Sequence, residues 1–287
     1  MFQSIEGVFG IDELEARRDF EKLKASDAVM AGMKTVKHFM FAHTCHVKVR
    51  SNGRMSEPFV SFIDFMDNLD QLRENYHYID QAIVLSKSRH QHRPHLYHCY
   101  DAFRLYFGTV SIFKPSIAKR IVDIFQPSIV YDPCCGWGGR MLGAVAGGCD
   151  LYVGVDTNQK IVDSHLKMIE FLGIQDKAQI TFGDCVTHNP GTYDMLLTSP
   201  PYYNTEVYEG SIVRNNDEWA TWYRVVFHKW WQGLSIGGVM ALSISHSIYR
   251  IAKEVCGSAD DSWTINTPRR FAEGDETERL YIWIKTE

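Results

Sequence analysis

No apolar run in this 287-residue chain reaches the length needed to span a bilayer as a helix, so no membrane partner is expected. The first residues, Met1-Phe2-Gln3-Ser4-Ile5-Glu6, lack both the basic segment and the apolar core of a secretory signal, and no repeat or low-complexity tract follows. Seven cysteines without regular pairing argue against a disulfide framework and fit a reducing compartment; the expected location is the cytoplasm. An excess of basic residues is also missing. With a formal charge of −5, binding to nucleic acid requires a basic face rather than a basic protein. The chain does have 45% hydrophobic and 13% aromatic residues, enough for a substantial core.

Ile129-Val130-Tyr131 is a short β-prone run, followed by Asp132-Pro133-Cys134-Cys135-Gly136-Trp137-Gly138-Gly139 and then by Arg140 to Ala146, mostly good helix formers. Strand, glycine loop and helix in this order let the backbone approach a ligand, and the free amides at the helix start favour a negative group. The spacing is not the dinucleotide fingerprint, because Met141 stands where the third small residue belongs. The next strand, Leu151 to Val155, ends at Asp156, which is placed to accept from ribose hydroxyls. A third, Gln179 to Phe182, ends in Gly183-Asp184-Cys185. Upstream, Phe113-Lys114-Pro115 precedes apolar residues at helical spacing (Ile117, Ala118, Ile121, Val122, Phe125), with Pro115 at the first helical position.

The apolar run Tyr193 to Thr198 ends in Ser199-Pro200-Pro201-Tyr202. Two prolines stop a strand from running straight into a helix, so the Ser199 hydroxyl and the carbonyls of a rigid turn are held out at the strand's carboxyl end. Two acceptors placed this way can grip an amino group while an aromatic ring such as Tyr202 stacks on the attached base. This tetrapeptide resembles the catalytic motif of S-adenosylmethionine-dependent DNA amino-methyltransferases of the N4-cytosine and N6-adenine type, whose serine version is commoner in the N4-cytosine branch. The resemblance implies catalytic roles for Ser199, Pro200, Pro201 and Tyr202. It assigns Asp132, Cys134, Gly136 and Gly138 to the methionine end of S-adenosylmethionine, Asp156 to its ribose and Asp184 to its adenine. Lys114 and Pro115 are implied to close over the methionine end. At Cys134 the chain departs from the family, where a phenylalanine is usual. The implied partner is DNA, as a duplex with a flipped base or as a single strand. N6-adenine methylation, RNA methylation and a non-catalytic cofactor-fold module are the alternatives.

Alternating elements from Ser111 onward predict an α/β fold, a parallel sheet with helices on both faces; the resemblance implies that it is a doubly wound, mostly parallel, seven-stranded Rossmann-like methyltransferase sheet, here with a mainly helical N-terminal region. Residues 1–110 are read as that region, with a possible role in target recognition, and 111–287 as the catalytic domain. Ile11 to Val36 reads as helix, Phe39 to Arg50 mixes β-prone and aromatic residues, and Phe59 to Leu72 reads as helix again. Gln159 to Leu172 is a further helix. Asp217 is read as the cap of an aromatic-rich helix that ends at Gly237-Gly238, Val239 to Ile244 as a fifth strand, and Leu280 to Lys285 as a final, antiparallel one. Tyr203 to Asn216 is expected to form a loop over the target pocket, with Tyr203 or Tyr208 as further walls. Basic residues gather in Ala28 to Ser56 and Lys87 to Arg120, a candidate nucleic-acid face. His90, His92, His95, His98 and Cys99 lie close together, but Pro94 interrupts them and no second cluster gives zinc spacing, so no metal is assigned. Cys134 and Cys135 sit in the wrong loop for a cysteine nucleophile, and His246 is read as an ordinary strand-end histidine.

Overall fold

A computed structural model describes residues 5–50, 59–203, 206–207, 214–265 and 278–286. The first part comprises α1 (Ile5–Phe9), α2 (Glu13–Ala25), α3 (Met33–Thr44), β1 (Lys48–Arg50), β2 (Phe59–Val60), α4 (Phe62–Asp67), α5 (Leu69–Asn75), α6 (Tyr78–Arg89) and α7 (His95–Tyr106). The alternating part comprises α8 (Pro115–Phe125), β3 (Ile129–Asp132), α9 (Gly139–Ala146), β4 (Leu151–Asp156), α10 (Gln159–Leu172), β5 (Ala178–Phe182) and β6 (Tyr193–Thr198). It continues with β7 (Glu206–Val207), α11 (Asn216–Gly233), β8 (Leu234–Ser245), α12 (His246–Cys256), β9 (Asp261–Trp263) and β10 (Glu278–Ile284).

Seven strands form one sheet in the order β5-β4-β3-β6-β8-β10-β9. The pairs β5–β4, β4–β3, β3–β6 and β6–β8 are parallel, and β10 runs antiparallel to both β8 and β9. This is the doubly wound, Rossmann-like sheet expected from the sequence. Strands β3 and β6 are nearly continuous apolar runs because helices cover both faces. The chain lays down β3, β4 and β5 in one direction, then returns to place β6 on the other side of β3. Between β3 and β6 the winding reverses, and that crevice is where open α/β sheets bind ligands.

One apolar core lies on each side of the sheet. The first packs α8 and α9 with Val130, Tyr152 and Met195; the second packs the aromatics of α11 with Tyr131, Leu196 and Trp283. Helix α8 crosses α9 closely enough that a Cβ on Gly143 would lie 2.3 Å from the Pro115 carbonyl. The N-terminal helices are not independent of this sheet. Phe20, Leu23, Val36 and Met40 of α2 and α3 belong to the first core, and His43 Nε2 lies 2.8 Å from Ser164 Oγ of α10. A core of their own is built only by residues between Cys45 and Phe107. A second sheet, β2-β1-β7, pairs the N-terminal β1 with the strand that follows the Ser-Pro-Pro-Tyr turn.

Several local expectations are corrected. The helix read over Ile11 to Val36 is broken between Ala25 and Met33, where Gly32 has φ 83° and the Asp19 carboxylate accepts from the Lys34 and Thr35 amides. Phe39 to Thr44 continues α3 rather than a strand. The region from Phe59 to Leu72 starts as strand β2 and then divides into α4 and α5 at Asn68. The histidine-rich segment forms α6 and α7, with Pro94 at the N-cap of α7. Helix α11 is capped by Asn215, in a reciprocal box with Glu218, rather than by Asp217. It ends at Gly233, and Gly237-Gly238 lie inside β8.

Candidate active site

Asp132, at the end of β3, is fully buried. Arg140 Nε donates to its Oδ2 at 2.6 Å, the Tyr152 hydroxyl to the same oxygen at 2.7 Å, and Thr198 Oγ1 to Oδ1 at 2.7 Å. The carboxylate therefore ties β3, β4, β6 and α9 together beneath the glycine loop. Arg140 also donates to the Cys134 carbonyl. The loop above needs glycine. Gly136 has φ 52° and Gly138 φ 81°, and a Cβ on Gly139 would lie 1.9 Å from the Phe113 carbonyl. At Gly136, by contrast, a Cβ would meet only Cys134 O at 3.8 Å and Arg140 Nη2 at 4.0 Å, so the space over that residue is open.

Asp156 Oδ2 accepts from the Gly136 amide and Oδ1 from the Asn158 amide, both at 2.9 Å. Burial raises its pKa against these two donors. Asp184 is exposed; its Oδ1 accepts from the Val186 amide at 2.8 Å, and its other oxygen has no partner among the described residues. Lys229 of α11 fixes this loop by donating to the carbonyls of Cys185, Val186 and His188. Lys114 and Pro115 begin α8, and the preceding Phe113 lies on Gly139, which places the Lys-Pro segment beside the glycine loop. Cys134 is half-buried against Cys185; that contact first, then burial, raises its pKa, and burial does the same for Cys135. Both stay thiols at neutral pH, which disfavours a thiolate nucleophile.

At the end of β6, Tyr202 is anchored by its hydroxyl. That oxygen is 2.7 Å from the Ser243 carbonyl, 2.8 Å from Glu278 Oε1 and 2.9 Å from Ser199 Oγ. The Ser243 carbonyl and the Glu278 carboxylate can only accept, so the single phenol proton goes to one of them. Ser199 then donates its own proton to the phenol oxygen, which leaves its lone pairs without a donor among the described residues. Burial, then the nearby Glu278 charge, keeps the phenol protonated. The Pro201 carbonyl accepts from the Tyr223 hydroxyl, whereas the Pro200 carbonyl has no partner among the described residues. Tyr223 Oη also accepts from the Tyr203 amide at 3.1 Å and holds Tyr203 at φ 50°. With Ser199 donating, neither Ser199 Oγ nor Pro200 O accepts a hydrogen bond from the described residues.

The structure gathers the glycine loop, Asp156, Asp184 and the Ser199 turn at the carboxyl ends of β3, β4, β5 and β6. Residue type did not reveal Arg140, Tyr152, Thr198, Lys229, Tyr223, Ser243 or Glu278. His165, also missed, is fully buried with Nε2 donating to the Gly136 carbonyl at 2.8 Å, and burial lowers its pKa to about 4. Tyr203 packs edge-on to Tyr223 and Trp219, while Tyr208 lies outside the described residues. His98 is taken up by Ser86 Oγ and the Arg93 carbonyl, and among the described residues no group of three metal-ligating side chains occurs. His246 Nδ1 lies 3.2 Å from the Tyr281 hydroxyl.

No protein-family model matches the chain, and no curated protein sequence matches it. Among solved structures it is similar to TrmN from Thermus thermophilus, with TM-score 0.46 and 17% identity over 60% of this chain and 48% of that one. It is also similar to an S-adenosylmethionine-dependent O-methyltransferase from Thermotoga maritima, with TM-score 0.46 and 12% identity over 62% and 68%. A third is an rRNA methylase from Streptococcus thermophilus, with TM-score 0.43 and 14% identity over 62% and 100%. The chain spans about half the length of the first of these. TM-scores of this size leave the activity to be read from the chemistry of the site.

Proposed function

We propose that the chain transfers a methyl group from S-adenosylmethionine to an exocyclic amine of a DNA base, with N4 of cytosine favoured. The observation that carries this reading is the pair of acceptors at the winding reversal, Ser199 Oγ and Pro200 O, which take no donor among the described residues beside a Tyr202 hydroxyl and a Pro201 carbonyl that are engaged. S-adenosylmethionine, when bound, supplies an electrophilic methyl group on a sulfonium. The open space over Gly136 and the loop amides suit its carboxylate end, Asp156 its ribose and Asp184 its adenine.

An exocyclic amine is a poor nucleophile because its lone pair is delocalised into the ring. Acceptors on both of its hydrogens favour a pyramidal nitrogen whose lone pair points away from the ring plane, and they stabilise the charge that develops on it. Ser199 suits this task because its proton is committed to Tyr202; a hydroxyl free to rotate would equally serve a carbonyl. The target must leave its stack to reach the turn. Neither cysteine of the glycine loop is required, since no covalent intermediate forms. Transfer of tritiated methyl groups to DNA of varied sequence, followed by nucleoside digestion, tests the reading. N4-methylcytosine is the expected product. N6-methyladenine, or label in RNA alone, would move the assignment to that substrate, and no transfer to any nucleic acid would refute it.

A further inference from the structure

A cavity of about 200 Å³ lies between α3, α7, β1 and the segment leading into α8. Lys37, Arg104 and Lys114 line it, and no acidic residue does. None of the three has a carboxylate partner among the described residues. Three other cations of the two basic stretches are engaged with carboxylates. Lys34 pairs with Glu15, Lys48 lies 3.7 Å from Asp64, and Lys119 lies 2.6 Å from Asp123. Three cations without a carboxylate partner among the described residues thus converge on one opening.

The wall of this cavity is aromatic. Phe62 and Phe103 form its buried part, and Phe41 and Tyr100 are half-buried, with Phe41 5.3 Å and Phe62 5.0 Å from the Tyr100 ring, both edge-on. Arg104 Cζ lies 6.0 Å over the Tyr100 ring and Phe103 stacks on the same ring at 6.3 Å; aromatic rings beside cations are the combination that single-stranded nucleic acid uses, in which a base stacks and its phosphates meet the charges. A lipid would need a longer apolar channel, and an acidic peptide makes no use of the ring stack. The location fits as well. Val49, which lines the cavity, is paired with Glu206 in the strand that leaves the Ser199 turn, and Ile112, on the other side, lies against Gly139 of the glycine loop.

We infer that this cavity holds one nucleotide of the DNA strand next to the base being methylated, with its base against the Tyr100 wall and its phosphates between Lys37 and Arg104. This rests on the methyltransferase reading above and adds to it a second, non-catalytic subsite. The test uses the full chain and fluorescein-labelled single-stranded oligodeoxynucleotides, with affinity measured by anisotropy across a salt series. S-adenosylmethionine affinity is measured separately by calorimetry.

Lys37→Glu/Arg104→Glu is expected to weaken strand binding about tenfold or more and to lower the log–log salt slope by about 1.4, two phosphates at about 0.7 each. S-adenosylmethionine affinity should stay unchanged. An oligonucleotide carrying 5-iododeoxyuridine beside the target should crosslink to residues 95–106 in the parent. If the double variant binds the strand as the parent does, with the same slope, or if no crosslink reaches α3 or α7, the subsite is refuted while the methyltransferase reading stands. If the variant instead loses cofactor affinity alone, the cavity serves the cofactor's carboxylate and the inference fails. Tighter binding of the same sequence as RNA overturns the assignment to DNA, and a parent that binds neither strand nor cofactor overturns both readings.

Discussion

At the end of β3 the Asp132 carboxylate is fully buried and meets Arg140, Tyr152 and Thr198, whereas one strand away, at the end of β6, the Ser199 hydroxyl and the Pro200 carbonyl accept from none of the described residues. The two strand ends are neighbours joined by the Thr198–Asp132 bond, yet their polar groups are arranged for different purposes. On the β3 side the charges are consumed in holding the loop's shape. On the β6 side the backbone is held by phenol groups, from Tyr202 and Tyr223, and Ser199 Oγ and Pro200 O take no donor among the described residues. A polar residue at a cleft is therefore informative only once its partners are known.

Removing a charge on the β3 side should have the largest effect, and it should be on folding. Asp132→Asn leaves Arg140 buried without a counter-charge and is expected to cost about 3–5 kcal/mol of stability, read from denaturant midpoints. A variant as stable as the parent would show that the pair does not hold the loop.

On the β6 side the effect should be on turnover. Ser199→Ala is expected to lower methyl transfer by roughly 10²–10³-fold, as for loss of one preorganised hydrogen-bonding group, with cofactor affinity and melting temperature nearly unchanged. Loss of cofactor binding in this variant would erase the distinction between the two strand ends.

Acid separates them in a third way. His165 is neutral in the folded chain with a pKa lowered to about 4 from 6.5, so above pH 6.5 it contributes no pH dependence. As the pH falls from 6.5 to 4 the unfolded chain takes up a proton that the folded one refuses, and stability falls by up to about 3 kcal/mol. His165→Gln should flatten this window; an unchanged slope would place the acid sensitivity elsewhere.

A smaller effect is expected from Tyr223→Phe, which deprives the Pro201 carbonyl and the Tyr203 amide of their shared partner. It should cost about 1–3 kcal/mol and lower transfer without altering cofactor affinity. If transfer is untouched, the turn keeps its shape without that clamp.

The sequence makes the elements around the cleft legible because they are regular. Helices α8 and α10 begin where the pattern puts them, since each has a strong apolar stripe and a Pro or Asn at its start. The four strand ends follow from glycine, proline and acid punctuation. Arg140 was visible as a residue but not as the partner of Asp132, because the loop must close before the two meet. Glu278 stands 76 residues from Tyr202, and only the antiparallel pairing of β10 on β8 brings it near. The N-terminal helices were misread at Gly32 because one continuous apolar pattern runs across the turn.

The pairing of β1 with β7 bears on how the protein can be divided. A fragment beginning at Ser111 would lose α2 and α3 from the apolar surface of α9 and α10 and leave β7 with an open hydrogen-bonding edge. Such a piece is a candidate for aggregation. Residues 1–110 are therefore not a cassette that can be exchanged while leaving the sheet's packing intact.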